Sequence, residues 1–279
     1  MAGALRVYGV DFSSAPSAKK PITIAAGVLQ GSVYQLERVI AVPDWPMFED
    51  FLAHRGPWLA AFDMPFSLPR PLITHYGWPT NYPEFIRWYG AQPREWLRQQ
   101  FKAFCDARPA GNKYVYRQAD RPAGSSPAMR WTNPPVAWML HAGTPRLLAA
   151  GVHIPGMFKG IDSPRKRRIA LEAYPGFTAR QVTRESYKSD LPAKQTPQRS
   201  AAREQILHVL RVGQAGLAVK LSADSQWQAR MLKDGSGDLL DAAICALQAA
   251  HASLQPRFGL PENMDPLEGW IASVPPASR

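Results

Sequence analysis

Five acidic residues stand where a folded chain can bring carboxylates together. Asp11 ends an apolar run in GVDFSS, and Asp63 ends another in AFDMP. Asp238 and Asp241, three apart, head the otherwise apolar stretch DLLDAAICALQAA, and Glu172 closes a third apolar run in LEAYP. Carboxylates so placed suit Mg²⁺ or Mn²⁺, hard ions that prefer oxygen ligands. Two such ions about 4 Å apart can activate a water and neutralise a leaving oxygen, the requirement of phosphodiester hydrolysis. Asp11, Asp63, Asp238 and Asp241 are therefore expected metal ligands, with Glu172 as a further ligand or a group that orients one. Each has a structural competitor. Asp11 and Asp63 could cap their strands in Asx turns, Asp238 suits the positive end of a helix, and Glu172 could pair with an arginine. Asp241 is hardest to explain away, because a carboxylate on an apolar face needs a partner.

Other chemistries find less support. The six histidines are scattered, Cys105 and Cys245 lie far apart, and no glycine-rich phosphate loop occurs. Ser13 and Ser14 lack a nearby base pattern for nucleophilic catalysis. Zinc, disulfide and dinucleotide-binding frameworks are thus not expected.

The elements that must position the acids can be read from periodicity and punctuation. Residues 5–10 (LRVYGV), 22–29 (ITIAAGVL) and 33–42 (VYQLERVIAV) read as strands, the last two joined by a turn at Gly31-Ser32. Short connections favour an antiparallel meander. A short helix from 45 to 54, stopped by Gly56-Pro57, precedes a fourth strand at 58–62 (WLAAF), predicted to run parallel to the first. If so, Asp11 and Asp63 emerge at the same sheet edge. Residues 66–151 are rich in proline and aromatics, with helices predicted over 83–104, interrupted near Pro93, and 134–150; this length suits an insertion or lid. Residues 166–173 read as a fifth strand. A helix follows from Thr196-Pro197 to Val212, and another from Asp238 to Ser253 with Ser236 as its cap. A ribonuclease-H-like α/β core has this order, as other mixed α/β folds can: a single domain over 1–279 with a mixed five-stranded sheet flanked by helices and a large insertion after the fourth strand.

Net charge is +11, from 33 basic against 22 acidic residues, which favours a polyanionic partner such as DNA or RNA. Candidate contacts are Lys113, Arg117, Arg121 and Arg130, interleaved with Tyr114, Tyr116 and Trp131, together with the run Arg165-Lys166-Arg167-Arg168. No apolar stretch approaches the roughly 18 residues of a membrane span, and the start does not read as a signal peptide, so a cytoplasmic location is expected.

As a set, GVDFSS, FDMP, LEAYPG and GDLLDAAICALQA resemble the family called domain of unknown function 429, predicted nucleases of ribonuclease-H-like fold. The resemblance implies roles for Asp11, Asp63, Glu172, Asp241 and Asp238. The Asp-x-x-Asp pair is also similar to Holliday-junction resolvases, in which the fourth-strand acid is usually glutamate rather than the aspartate at 63. Together these readings predict a metal-dependent nuclease using Mg²⁺ or Mn²⁺. The alternative is a nucleic-acid binder that kept the fold without turnover. An actin-like ATPase fits less well, since the chain is short for two such domains and lacks a glycine-rich adenosine motif.

Overall fold

The computed structural model describes residues 4–276. Residues 1–3, where the reading of the amino terminus begins, and 277–279, the end of the proline-rich tail, lie outside the described residues. The chain forms a six-stranded mixed sheet flanked by helices. Strands β1 (Leu5–Asp11), β2 (Ile22–Gln30) and β3 (Val33–Val42) are followed by helix α1 (Trp45–Ala53) and strand β4 (Trp58–Asp63). Five helices come next: α2 (Arg70–His75), α3 (Tyr82–Ala91), α4 (Arg94–Asp106), α5 (Asp120–Ala123) and α6 (Val136–Ala149). Strand β5 (Arg168–Glu172) leads to α7 (Pro175–Val182), α8 (Pro197–Val212), β6 (Lys220–Ser222), α9 (Ser225–Lys233) and α10 (Asp238–Ser253).

Strand order is β5-β4-β1-β2-β3-β6. β1, β2 and β3 form the antiparallel meander, while β4 runs parallel to β1 and β5 parallel to β4. The expected five strands are joined by a sixth. β6 pairs with β3 over only three residues, too short for an alternation to register in the sequence. The fifth strand begins at Arg168 rather than 166, because Pro164–Lys166 form a 3₁₀ turn.

Alternation along the strands sends side chains to two cores. Val10, Ile24, Ala60 and Phe62 face α1 and the helices that precede β5, whereas Val7, Ala25, Leu59 and Ala61 face α8 and α10. Helix α10 lies very close to the sheet. A Cβ at Gly9 would stand 2.0 Å from the Ala242 carbonyl oxygen and 2.1 Å from the Ala246 nitrogen. A bare glycine beneath a row of alanines therefore sets the depth of α10, and with it the position of Asp241. Its entry differs from the expected cap. Ser236 Oγ donates to Asp234 at 2.6 Å, and Asp234 accepts from the Leu239 amide at 2.9 Å, so Asp234 serves the first turn. Gly237, at φ +80°, precedes the helix in a conformation other residues rarely adopt.

Candidate metal centre

Asp11 and Asp63 are direct partners in the parallel β1–β4 register. Each sits two residues beyond a strand position that faces α10: Val7, Gly9 and Asp11 share one parity, as do Leu59, Ala61 and Asp63. The two carboxylates thus leave the carboxyl edge of the sheet toward α10, where open α/β sheets place ligands. From the first turn of α10 comes Asp241, which is fully buried. One carboxylate oxygen from each of the three lies within 4.8 Å of the other two. Hard oxygen donors at this spacing fit Mg²⁺ or Mn²⁺. Among the described residues, no side chain hydrogen-bonds Asp11 or Asp63, so their oxygens remain available.

The electrostatics of the cluster follow from burial. Desolvation, reinforced by Asp241, pushes the Asp11 carboxyl well above the usual carboxylate range. Asp63 is raised to about 7 by desolvation, with Lys188 opposing and Asp241 adding. Two residues that sequence reasoning did not single out answer part of this negative charge. The Tyr187 hydroxyl donates to one Asp241 oxygen at 2.6 Å, and the Lys188 ammonium contacts the other. Burial alone would lower the Lys188 pKa, but Asp241, with Tyr187, Asp11 and Asp63 adding, outweighs it and holds the ammonium charged. Both residues lie in the loop between α7 and α8. That loop is tied down by Arg203, whose guanidinium donates to the Tyr187 carbonyl at 2.8 Å and the Leu232 carbonyl at 2.9 Å. Nothing in a short irregular stretch such as SYKSD carries periodicity, so its destination is set by these tertiary bonds.

The cluster opens into a cleft of about 470 Å³, walled by Met64 and Phe12, by Ser125 and Met139 from the segment between β4 and β5, and by Lys188 and Lys20. This volume lies in the range of small-ligand sites.

Glu172 also lines the cleft but lies outside the three-carboxylate group. It is the register partner of Phe62 and shares its parity, so its side chain leaves the opposite face of the sheet. There Arg117 meets it twice, at 2.5 and 2.7 Å, while also binding Asp120 at 2.8 Å. The Phe66 amide adds a bond at 3.0 Å. Desolvation raises the Glu172 pKa and Arg117 opposes it. Asp238 lines the cleft but lies outside the three-carboxylate group. Both of its oxygens are met by Lys20, at 3.0 and 3.1 Å, and Lys20 also binds Asp190 at 2.8 Å. Desolvation lifts its pKa, and Lys20 acts in the other direction.

The expected nucleic-acid contacts divide. Arg117 is buried, spent on Glu172 and Asp120, and is not a surface group. Arg168 is likewise buried and binds Asp162 at 2.7 Å. Arg165 and Lys166 are exposed and Arg167 is half-buried. They precede the amino end of a strand parallel to β1 and β4, however, and so flank the edge opposite the carboxylates. With roughly 3.3 Å per residue, β5 alone separates the two edges by about 13 Å. Lys113 and Arg121 are exposed and Arg130 half-buried. Arg121 stacks on Tyr116 at 4.6 Å, and Tyr114 packs on Trp131 with ring centroids 6.0 Å apart. These rings serve the fold of their own loop first.

A family model described as "Protein of unknown function (DUF429)" matches residues 9–263. No curated protein and no solved structure matches the chain. No helix of the described residues is long and apolar enough to cross a membrane.

Proposed function

The chain belongs to the DUF429 family, and from the site it carries we propose that it is a metal-dependent nuclease that hydrolyses phosphodiester bonds of DNA or RNA. The observation that carries this reading is the approach of Asp11, Asp63 and Asp241 to within 4.8 Å beside an open cleft that Asp11 and Asp63 line. Support for a ribonuclease-H-like core comes from the strand order β5-β4-β1-β2-β3, with the first three antiparallel and the fourth and fifth parallel to the first. The net charge of +11 suits a phosphate backbone.

Asp11, Asp63 and Asp241 hold the ion. An ion held by these three residues would polarise a bound water toward attack and would supply positive charge beside the phosphate oxygens. Asp238 is held beside the cleft by Lys20, and Glu172 orients Arg117 and the Phe66 amide behind it. The segment 66–151 forms a lid whose Ser125 and Met139 face the substrate. The test is hydrolysis of single-stranded and duplex DNA and RNA with Mn²⁺ or Mg²⁺. Asp11→Asn is expected to abolish cleavage while circular dichroism and melting show an intact fold. Unchanged cleavage by that variant overturns the assignment. Salt-sensitive binding by both proteins, with product from neither, identifies a binder that does not turn over.

A further inference from the structure

We propose that this centre takes one divalent ion rather than two, and that Lys188 supplies the second positive charge beside the phosphate. The inference rests on the metal-dependent reading above. It comes from the way the five acids around the cleft are neutralised. Glu172 has both oxygens on Arg117, which is buried and also tied to Asp120. Asp238 has both oxygens on Lys20. A second ion would have these two as its nearest further carboxylates, and both are already matched by cations of the chain. Three acids remain: Asp11 and Asp63, free of side-chain hydrogen bonds among the described residues, and Asp241, which meets the neutral Tyr187 hydroxyl and a single cation, Lys188. Three carboxylates and one ammonium carry two net negative charges, which a single Mg²⁺ or Mn²⁺ balances. A second dication would leave the same excess with opposite sign, inside a region where desolvation makes unbalanced charge costly.

The lysine is held in place by surrounding structure. Its carbonyl accepts from Arg199, and the preceding carbonyl of Tyr187 accepts from Arg203. The entry to α10 leaves room for its stem: a Cβ at Gly237 would stand 2.8 Å from the Lys188 side chain. Lys188 is also a wall of the cleft, with 41% of its side chain exposed. Its side chain thus borders the space a phosphate would enter, with its stem packed against Gly237. A second ion serves the same electrostatic purpose in a two-metal site, and a lysine point charge is suited to it.

Mn²⁺ binding to the full chain, counted by equilibrium dialysis with electron paramagnetic resonance, tests this without reference to activity. Wild type is expected to bind one ion per chain. Lys188→Met should bind its first ion about tenfold more tightly, because an ammonium no longer competes for Asp241. Lys188→Arg, which keeps the charge, should stay within about threefold of wild type on the same reasoning. Two ions per wild-type chain would overturn the inference while leaving the metal centre standing. No bound ion would instead defeat the reading on which it rests. Unchanged affinity in a folded Lys188→Met variant removes Lys188 from the role. If that variant does not fold, the wild-type count and the arginine variant still decide.

Discussion

Lowering the pH should weaken metal binding by an amount that the burial of Asp63 sets. An ion needs carboxylates, whereas the metal-free protein holds a proton on Asp63 below about pH 7. Protons compete with the metal, so affinity falls as pH drops through that value. At pH 8 Asp63 is about 90% ionised, and at pH 5.5 only about 3%, for a group titrating near 7. Apparent affinity for Mn²⁺ should therefore fall about 30-fold across this interval, or about 2 kcal/mol. Asp11, also raised by desolvation, adds to the effect and steepens it. Isothermal titration with Mn²⁺ at pH 5.5, 6.5 and 8.0, in buffers of different ionisation heat, measures both affinity and protons released. Stability of the metal-free protein should move the opposite way. A carboxyl raised from an unfolded value near 3.8 to about 7 binds its proton more tightly when folded, so stability declines as pH rises between those values. An affinity that stays within threefold from pH 5.5 to 8, in a protein that remains folded, refutes the argument that burial governs this cluster.

Three further outcomes test the structural supports. Gly9→Ala should drive α10 from the sheet, since the new methyl would meet backbone atoms at 2.0 and 2.1 Å; a loss of about 1–3 kcal/mol or more is expected in urea unfolding. Any folded fraction should bind Mn²⁺ more weakly, because Asp241 moves with the helix. Arg117→Met strands Glu172 and Asp120 in the interior, where breaking a buried pair costs about 3–5 kcal/mol. Its Mn²⁺ count should nonetheless match wild type, whereas a lost ion would return Glu172 to the ligand set. Charge reversal at Arg165 and Lys166 should leave Mn²⁺ affinity and cleavage of a short dinucleotide unchanged in titration and product assays, since both residues flank the far edge of the sheet.

Much of the architecture was legible because strong local signals agreed with the global arrangement. The runs ending at Asp11 and Asp63, the turn at Gly31-Ser32 and the Gly56-Pro57 stop each marked an element that the structure contains. Thr196 does accept from the Arg199 amide at the head of α8, and Gly213 closes that helix. What escaped had weak local information. β6 is three residues long and exists only because β3 offers an edge. The Ser236 cap failed because Asp234, two residues earlier, is the stronger acceptor and takes the serine hydroxyl as a donor.

For the site, legibility stopped at parity and at pairing. Asp11, Asp63 and Glu172 all close apolar strands, and type and position in the chain do not separate them. A shift of one residue sends a side chain to the other face of the sheet. Asp63 follows Phe62 and so faces α10, whereas Glu172 stands level with Phe62 and faces Arg117. That single step divides a metal candidate from an ion pair. Pairing divides Asp241 from Asp238 in a similar way. The two lie three residues apart in the first turn of one helix, yet Lys20, 218 residues distant, occupies Asp238. Lys20, Arg117 and Lys188 come from separate connections with no shared motif, so their assembly is a property of the folded chain alone. Their placement nevertheless governs the chemistry: by meeting the surplus acids, they leave a cluster whose charge is suited to one dication.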